Sequence, residues 1–500
     1  MTPVPPPLAP PSLPPEDWGV DGFYFLPEQA HAAARQNRPV KLAHPTIIGQ
    51  QVCYYPGPPV PYATPNMVAV PMEDAINFFA FTRYRRPTKL VLPAEWPEEK
   101  QPVALEWLSK TLAASLSLRN TVQERLTQTI RRATVTFAAR QPLRIYLGSS
   151  RLTTVMQYTS KGIAKALEEL GHAVTLDLEQ NGLEQLNFFH HIDNIATINP
   201  HLTIWINHLN SYMLGPEAVN CSWFQDPMQQ IVSGQPLPLR SRDVIFSLSP
   251  EIDHYLRGCG VGHIQRQFMC VDHTLFRVMP EVRREPKAVF VGSSYRPQMS
   301  RIQDQPGFEG FIAALQEAFA QGHPFHQGFV LETGRRHGLF LNDSFWSYVA
   351  NYIVRDTTVR WLCANPTTKV EIYGRYWDQD PLVAPHYKGE LPHGPALAEV
   401  YNSASMALCV IVKELNSQRL AEIAACGAVP LIYDTRDLAE PPHWDEDALF
   451  FRTQEQLNDC LRQQRPVGNP ERIALPFHYT TLARTFLREV ERLTGVETLQ

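Results

Sequence analysis

The chain has 500 residues, of which 44% are hydrophobic and 19% are charged. That length exceeds the size at which one hydrophobic core usually keeps growing, so it predicts two or three domains. The 45 basic and 50 acidic residues leave a formal net charge of −5, which argues against a nucleic acid or an anionic membrane as the partner.

The eight cysteines are scattered and form no C-x-x-C pair or other metal-ligand spacing. We therefore expect reduced, mostly buried thiols and no metal site. No N-terminal apolar segment has the pattern of a signal peptide, and the longest apolar stretches, such as 406–412, fall far short of the roughly 20 residues that a bilayer requires. A cytoplasmic protein without a transmembrane segment is expected.

The N-terminal part is predicted to hold a tail and an accessory region. Eight of the first fifteen residues are proline, which removes backbone donors and predicts a disordered tail over 1–17. Residues 18–140 form an accessory α/β region, in which KLVLP at 89–93 is typical of a strand and 106–132 has the apolar spacing of a long helix. No residue of this region indicates a particular chemistry.

A first Rossmann-like domain is predicted over 141–280. LRIYLGSS (143–150) is an apolar strand that ends in a Gly-Ser-Ser turn, a helix is predicted over 157–170, and AVTLDL (173–178) is the next strand. Further buried strands are predicted at 202–207, 221–225 and 243–249. The alternation of apolar strands with helices predicts a parallel, doubly wound sheet.

The pattern restarts at KAVFVGSSYRP (287–297), which repeats the strand and the Gly-Ser-Ser turn. A second Rossmann-like domain is therefore predicted over 281–480, with a closing helix over 481–500. Its remaining strands are predicted at 370–374, 406–412, 428–434 and 448–451, and the long segment 307–368 is predicted to be largely helical. The predicted fold class is α/β, with two doubly wound domains behind the accessory region.

The most informative stretch is KELNSQRLAE (413–422), which lies between two predicted strands. It should form a loop and a short helix at the carboxyl edge of the second sheet, where open α/β folds bind ligands. Asn416 or Ser417 can cap that helix, whose free amides suit a diphosphate. Arg419 can bind phosphate oxygens through two parallel hydrogen bonds. Glu422, on the same helix face, can accept two hydrogen bonds from a ribose diol.

The Glu-x7-Glu spacing of Glu414 and Glu422, with EIAACGAVPLI, resembles the donor-site signature of group-1 GT-B glycosyltransferases. Within that group the chain is most similar to the bacterial branch typified by spore-maturation glycosyltransferase-like proteins, which place Asn, then Arg, then Glu three residues on, then Ala-Cys/Ala-Gly. Supporting matches are VFVGSSYRP, YKGELPHGPALAEVYNSASMALCV and HYTTLARTFLREV, with a looser match at SWFQDP. The resemblance covers roughly residues 143–490.

This resemblance implies a nucleotide-diphosphate sugar as the donor substrate and no cofactor. Glu422 would bind the donor ribose, and Glu414 would face the sugar or its leaving phosphate. The other implied donor-binding residues are Gly292, Ser293, Ser294 and Arg296 beside the diphosphate, His393 and Gly394 beside the base or sugar, and Asn416, Ser417 and Arg419 on the helix. No Asp-x-Asp triplet follows a suitable strand, so we expect a metal-independent transfer in which the helix dipole and Arg419 neutralise the departing diphosphate.

The acceptor, a glycan, a protein or a small molecule, is assigned to the first Rossmann-like domain. The Glu pair favours a retaining transfer, whereas Leu415-Asn416-Ser417 replaces the usual Gly-Phe-Gly type of turn and favours an inverting one, so both stay open. An inverting transfer needs a general base within reach of the acceptor hydroxyl. The candidates are His190, His191, Asp193, His208 and Asp226, with Asp226 first among them. Gly148 and Ser149 complete the predicted acceptor side.

Two other functions are compatible with these residues. A GT-B nucleotide-sugar epimerase or hydrolase would use the same diphosphate and ribose contacts and would place histidines such as His190 and His191 at the sugar. A non-catalytic sugar-nucleotide sensor or a scaffold would use the tail and residues 18–140 for interactions. The joint presence of Arg419, Glu414 and Glu422 favours an enzyme over a site that has lost its activity.

Overall fold

The computed structural model describes residues 20–41, 48–151, 154–341, 345–412, 415–436, 444–463 and 468–499. Within these ranges the chain forms two compact units, one up to Gln267 together with the segment from Ala483, and the other over Phe268–Leu482. The predicted disordered tail, 1–17, lies outside the described residues. No described helix is both long and apolar enough to cross a membrane.

The accessory region of the first unit is itself an α/β layer. Its strands are β1 (Gly22–Tyr24), β2 (Pro39–Lys41), β3 (Ile48–Gln50), β4 (Cys53–Pro56), β5 (Met67–Val70) and β6 (Lys89–Val91). Its helices are α1 (Pro27–Gln36), α2 (Ala75–Phe81) and α3 (Lys100–Arg132). β5, β4, β1 and β6 form a parallel sheet in that order, and β2 pairs with β3 antiparallel. The predicted strand at 89–93 and the long helix are present, whereas the other strands had no clear sequence signal.

The rest of the first unit is a six-stranded Rossmann-like sheet. Its strands are β7 (Arg144–Gly148), β8 (Ala173–Asp177), β9 (Leu202–Ile206), β10 (Val219–Phe224), β11 (Asp243–Ser247) and β12 (Gln265–Arg266). Its helices are α4 (Thr154–Glu169), α5 (Phe188–Ile198), α6 (Gln229–Val232) and α7 (Pro250–Gly258). The strand order is β12-β11-β10-β9-β7-β8, and all pairs are parallel.

The second unit holds a five-stranded parallel sheet in the order β14-β13-β15-β16-β17. Its strands are β13 (Glu285–Val291), β14 (Lys369–Tyr373), β15 (Ala404–Cys409), β16 (Val429–Tyr433) and β17 (Leu449–Phe451). Its helices are α8 (Arg296–Met299), α9 (Phe308–Ala320), α10 (Gln327–Arg336), α11 (Trp346–Asn351), α12 (Thr357–Cys363), α13 (Pro395–Ser403), α14 (Gln418–Ala425), α15 (Gln454–Gln463) and α16 (Glu471–Ala474), followed by α17 (Tyr479–Thr494), which continues into the first unit. The predicted α/β fold with two Rossmann-like domains is confirmed.

Each Rossmann-like sheet has one point where the strand order reverses. In the first unit, β7 has β8 on one side and β9 on the other, and in the second unit β13 lies between β14 and β15. Loops that leave two neighbouring strands toward opposite sides open a crevice at the carboxyl edge, where α/β folds bind ligands. A ligand site is therefore expected at the loops that follow β7, β9, β13 and β15.

The boundary between the units precedes the predicted one at 280/281. The second unit begins at Phe268, because the segment after β12 packs on that unit: Val271 donates its N–H to the carbonyl of Phe477 (2.8 Å), and Phe276 lies in the same apolar cluster. The predicted closing helix is α17, and from Ala483 onward it belongs to the first unit, where Phe486 meets Phe246 edge-on with ring centroids 5.1 Å apart.

Helix α3 joins the accessory sheet to the Rossmann-like sheet. Leu108, in its first half, packs in the accessory core with Phe23 and Tyr54, whereas Ile130, near its end, packs with Tyr146 and Trp205 of the Rossmann-like sheet. A helix of 33 residues spans about 50 Å. The two layers therefore share one continuous element.

A buried ion pair between Asp21 and Arg85 stabilises the accessory layer. Arg85 donates from Nε to Asp21 Oδ2 (2.8 Å) and from Nη2 to Asp21 Oδ1 (3.1 Å), and both side chains are less than a tenth exposed. Arg85 Nη1 also donates to the carbonyl of Gly182, near the Rossmann-like sheet, at 2.6 Å. Removal of one partner leaves the other charge buried without compensation.

We predict that Arg85→Ala lowers the free energy of unfolding of the first unit by about 3–5 kcal/mol. The measurement is urea denaturation followed by circular dichroism. Glu106→Ala, which removes an exposed ion pair with Lys110 on α3, should change stability by less than about 0.5 kcal/mol. Equal stability of the two variants would contradict a structural role for the Asp21–Arg85 pair.

Candidate functional site

The loop after β13 is built on a close approach of two backbones. Gly292 donates its N–H to the carbonyl of Tyr373 (2.9 Å), and a side chain at Gly374 would begin only 2.5 Å from the carbonyl of Gly292. Gly374 also has φ +124°, a conformation that side chains disfavour. Trp377 Nε1 donates to the Gly292 carbonyl at 2.7 Å. The β13 loop (292–296) is thereby fixed at the carboxyl edge of the sheet.

Helix α14 begins at the same switch point, after β15. Ser417 Oγ accepts the N–H of Leu420 at 3.2 Å, so Ser417 is the N-cap. Asn416 does not cap the helix and instead accepts a hydrogen bond from Trp444 Nε1 at 3.4 Å. Glu414, predicted to face the sugar, lies outside the described residues.

Arg419, in the first turn of α14, lies against the β13 loop. A Cβ at Gly292 would be 3.2 Å from Arg419 Nη2, so a side chain there would press on this guanidinium. The guanidinium carbon is 5.8 Å from the centre of the Phe290 ring. Its Nη1 is buried and makes no hydrogen bond to any described residue. Since a buried charged donor is normally paired, Arg419 is a candidate ligand for an anion.

Glu422, one turn further along α14, is 5% exposed and interacts with His393. His393 Nε2 lies 2.9 Å from Glu422 Oε1, and the His393 ring packs against Phe276 with centroids 5.3 Å apart. Gly394 follows at the N-cap of α13 with φ +140°. The structure thus brings His393, Gly394, Arg419 and Glu422 to one edge of the sheet.

Arg296, predicted to bind the diphosphate, forms an ion pair with a carboxylate. Arg296 Nη2 donates to Asp380 Oδ2 at 2.9 Å, and Arg360 Nε donates to the same oxygen at 2.7 Å. The expectation that no Asp-x-Asp triplet follows a suitable strand was wrong, because Asp378-Gln379-Asp380 follows β14 after a turn. Two guanidinium groups nevertheless engage the carboxylate of Asp380. Among the described residues, no group of three or more His, Cys, Asp or Glu is arranged to hold a metal ion.

Sequence reasoning missed a charged pair on the helical segment before β14. Between α11 and α12 the backbone makes a single π-helical turn, Tyr352–Asp356, a feature frequent at functional sites. Asp356 accepts from Ser294 Oγ (2.5 Å) and from the N–H of Tyr295 (3.3 Å), and burial raises the pKa of Asp356 to about 6. The preceding residue, Arg355, is 7% exposed. Two adjacent charges within an apolar helical stretch were the available signal.

The predicted acceptor-side residues gather at the switch point of the first unit. Ser149 Oγ lies 2.6 Å from Ser160 Oγ, and a Cβ at Gly148 would collide with the ring of Trp205. Asn207, with φ +63°, donates from Nδ2 to Asp226 Oδ2 (2.7 Å) and accepts the N–H of Asp226 (3.0 Å). A strained residue that orients an exposed carboxylate is typical of functional edges.

The two neighbouring histidines on α5 have different surroundings. His190 accepts the N–H of Asn187 at Nδ1 (3.2 Å) and reaches the carbonyl of Thr82 through Nε2 (3.1 Å), which favours a structural role. His191 Nδ1 lies 2.6 Å from the hydroxyl of Tyr146 and 3.5 Å from Asp177 Oδ2.

Asp177 at the end of β8 is paired across the first unit. It accepts from Arg83 of the accessory region at 3.1 Å and from Asn194 at 2.8 Å. Despite burial, the hydrogen bonds and the positive charges around Asp177 hold its pKa well below its usual range. Desolvation, reinforced by nearby His191, lowers the pKa of His208, and Asp193 is exposed on α5. The accessory region therefore supports the edge of the sheet that carries the predicted acceptor side.

Residues 355–475 match the family model described as glycosyl transferase-like. The second unit therefore contains a segment that is similar to the glycosyl transferase-like family. The match covers the strands, loops and helix that carry Asp380, His393, Arg419 and Glu422. No curated protein matches the chain at a significant level.

Several solved structures are remotely similar to the chain. AviGT4, a glycosyltransferase involved in avilamycin A biosynthesis, shares 15% identity over 71% of this chain and 99% of its own, with a TM-score of 0.42. Sucrose-phosphate synthase from Thermosynechococcus elongatus shares 13% over 71% and 99%, with a TM-score of 0.41. Anabaena HepE in complex with UDP shares 12% over 70% and 100%, with a TM-score of 0.38.

The His393–Glu422 pair should make stability depend on pH. The hydrogen bond that His393 donates to Glu422 raises the pKa of His393 above 6.5, against the opposing effect of burial. Stabilisation by the pair is therefore complete below pH 6.5 and is lost as the pH rises through the raised pKa. We predict that Glu422→Gln lowers the melting temperature more at pH 6 than at pH 9.

Thermal denaturation across that pH range measures the effect. Glu399→Gln, at an exposed position on α13, is the matched control and should leave the pH profile of wild type unchanged. A constant difference between wild type and Glu422→Gln at every pH would show that the pair does not couple to protonation of His393.

Proposed function

We propose that the protein transfers a sugar from a nucleoside-diphosphate sugar, bound at the switch point of the second unit, to a glycan, protein or small-molecule acceptor. The observation that carries the proposal is the buried, unpaired Nη1 of Arg419 beside Gly292, at the start of α14. A guanidinium at a helix N-terminus favours a phosphate group, through charge and through the free amides of the first turn.

The remainder of a nucleotide sugar is accommodated by the neighbouring residues. The carboxylate of Glu422 accepts hydrogen bonds from the ribose diol after its Oε1 is released from the hydrogen bond with His393. Gly394 and the preceding loop approach the base or the sugar. The amide of Ser293 contacts the diphosphate, together with the predicted ligands Asn416 and Ser417. The amide of Ser294 instead donates to the carbonyl of Arg375 at 3.1 Å, and Arg296 is paired with Asp380. The chain needs no cofactor for this chemistry, since the donor carries its own leaving group.

In the reaction, the bond between the anomeric carbon and the diphosphate oxygen breaks while the acceptor oxygen bonds to the same carbon and loses its proton. Negative charge grows on the leaving diphosphate, where Arg419 and the dipole of α14 stabilise it. Asp226, oriented by Asn207, is the proposed proton acceptor of an inverting transfer. In a retaining transfer, Glu414 is the residue proposed to face the sugar.

The finer assignments follow the sequence resemblance. We place the protein in the bacterial branch typified by spore-maturation glycosyltransferase-like proteins and assign it to the cytoplasm, where nucleotide sugars are at hand. All eight cysteines are free thiols and buried, which supports a reducing compartment.

We predict that Arg419→Ala weakens binding of the donor nucleotide by about 1.5–3 kcal/mol, because one charge-assisted contact to phosphate is lost. The measurement is calorimetric titration with the nucleotide that most stabilises the wild type in a thermal-shift screen against UDP, GDP, dTDP, CMP and their sugar conjugates. Arg335→Ala, which alters an exposed arginine of the same unit, is the control and should bind normally.

Two outcomes of this experiment would redirect the assignment. Normal affinity of Arg419→Ala would remove this arginine from the site. Failure of every nucleotide to stabilise the wild type would instead favour a scaffold, and hydrolysis or epimerisation of a bound sugar nucleotide without an acceptor would favour the alternative enzyme class.

Transfer should not require a divalent metal ion. Arg419 and the helix dipole supply the positive charge that a metal otherwise provides, and Asp380 of the Asp-x-Asp triplet is engaged by Arg296 and Arg360. We predict that donor turnover, measured as release of the nucleoside diphosphate, is unchanged in EDTA. Loss of turnover in EDTA and its recovery with Mg²⁺ or Mn²⁺ would refute this mechanism.

A further inference from the structure

Arg355 contacts the β13 loop from the side opposite to α14. It lies in the π-helical turn Tyr352–Asp356, where the regular helical spacing is interrupted. Its Nη1 is 3.3 Å from the carbonyl of Ser293 and its Nη2 is 3.5 Å from the carbonyl of Val410. These two carbonyls belong to the segments that leave β13 and β15, the strands that flank the switch point.

The guanidinium of Arg355 is buried but incompletely paired. The residue is 7% exposed, and its Nε makes no hydrogen bond within the described part of the chain. Its two carbonyl contacts are long for a charged donor, which usually bonds at about 2.7–2.9 Å. The centre of the guanidinium lies 4.5 Å from the centre of the Tyr295 ring, so the aromatic face holds the cation without neutralising it.

The guanidinium carbons of Arg355 and Arg419 lie 6.0 and 5.8 Å from the centre of the same Phe290 ring, so two positive charges meet at the β13 loop. Burial lowers the pKa of Arg355, and the positive charge of Arg419 lowers it further. Asp356 is the carboxylate beside them, and it is engaged by Ser294 and Tyr295. Two like charges at close range in a low-dielectric interior repel each other unless an anion lies between them or beside them.

Arg296, to which the sequence analysis gave the diphosphate, cannot offer the same unsatisfied charge. Its Nη2 lies 2.9 Å from Asp380 Oδ2, and Arg360 Nε lies 2.7 Å from the same oxygen. Arg355, in contrast, has a donor, Nε, without a partner among the described residues, and its guanidinium shares the Phe290 ring with that of Arg419. The unsatisfied charge at the switch point therefore belongs to Arg355 and Arg419.

We propose that Arg355 is the second diphosphate-binding cation of the site and acts with Arg419, in the role that the sequence assigned to Arg296. The ligand class, a diphosphate, rests on the proposed function. Arg419 approaches from the first turn of α14 and Arg355 from the π-helical turn, so that the two guanidinium groups contact the anion from two elements. The bound diphosphate relieves the repulsion between them.

The experiment is calorimetric titration of the full-length protein with inorganic pyrophosphate, which has no base or ribose, and separately with UDP, GDP and dTDP. Arg355→Gln should weaken pyrophosphate binding at least about tenfold, because a charge-assisted contact is lost. Arg296→Gln should weaken it by less than about threefold. Arg301→Gln, at an exposed position, is the matched control and should bind like the wild type.

A purely structural Arg355 gives a different result. Loss of its contacts to Ser293, Val410 and Tyr295 would then lower the melting temperature of the ligand-free protein while leaving the dissociation constant unchanged, and that result would overturn the proposal. Arg355→Lys serves if the Gln variant does not fold. It retains the charge but not the planar group, so it should bind pyrophosphate more weakly than wild type and more tightly than Arg355→Gln; affinity equal to wild type would also overturn the proposal.

The two probes separate this inference from the proposed function. Binding of pyrophosphate that depends on Arg355, without binding of any nucleoside diphosphate, would support the anion site and refute the nucleotide-sugar donor. Binding of a nucleotide with no effect of Arg355→Gln would do the reverse. If wild type binds neither pyrophosphate nor a nucleotide, both proposals fail.

Discussion

Electrostatic repulsion between two arginines is the constraint on which the second unit's switch point depends. Arg355 and Arg419 can be held near each other only if the backbone around them is rigid, since each side chain would otherwise move to solvent. The contact of Gly292 with Gly374 fixes one wall, and Ser417 fixes the start of α14 by capping it. Asp356 ties the β13 loop to the π-helical turn. The packed scaffold thus supports an arrangement of charge that is unfavourable by itself.

Local sequence patterns were enough to predict most of the sheet architecture and the helix of the site. Ser417, Arg419 and Glu422 are close in sequence and occupy one short helix between two apolar strands, so their proximity required no knowledge of the fold. The strands of both Rossmann-like sheets were visible for the same reason, as short apolar runs alternating with helices. The short accessory strands β1, β4 and β5 were not, because three or four residues hold too little pattern.

The misjudged parts of the site depend on partners far apart in the chain. Arg296 follows a Gly-Ser-Ser turn and suggests a phosphate ligand, but its carboxylate partner, Asp380, is 84 positions away. The position of Arg355 at the site could not be predicted, because the π-helical turn shifts the helical phase and the pattern of apolar residues does not reveal such a shift. Arg83, which forms an ion pair with Asp177, is likewise far from its partner in sequence, at a separation of 94 positions. The Arg83–Asp177 ion pair indicates that the accessory region supports the first sheet and is not a separate module.

The path of α17 has a consequence for the order in which the protein is made. From Ala483 onward this helix belongs to the first unit, where Phe486 packs on Phe246, and the carbonyl of Leu499 lies 3.2 Å from the ring of His172. The apolar surface around Phe246 therefore stays uncovered throughout translation, while the ribosome synthesises the whole second unit. Only after the segment from Ala483 has been synthesised can the first unit close. The first unit of the nascent chain therefore stays incompletely folded while the second unit is made.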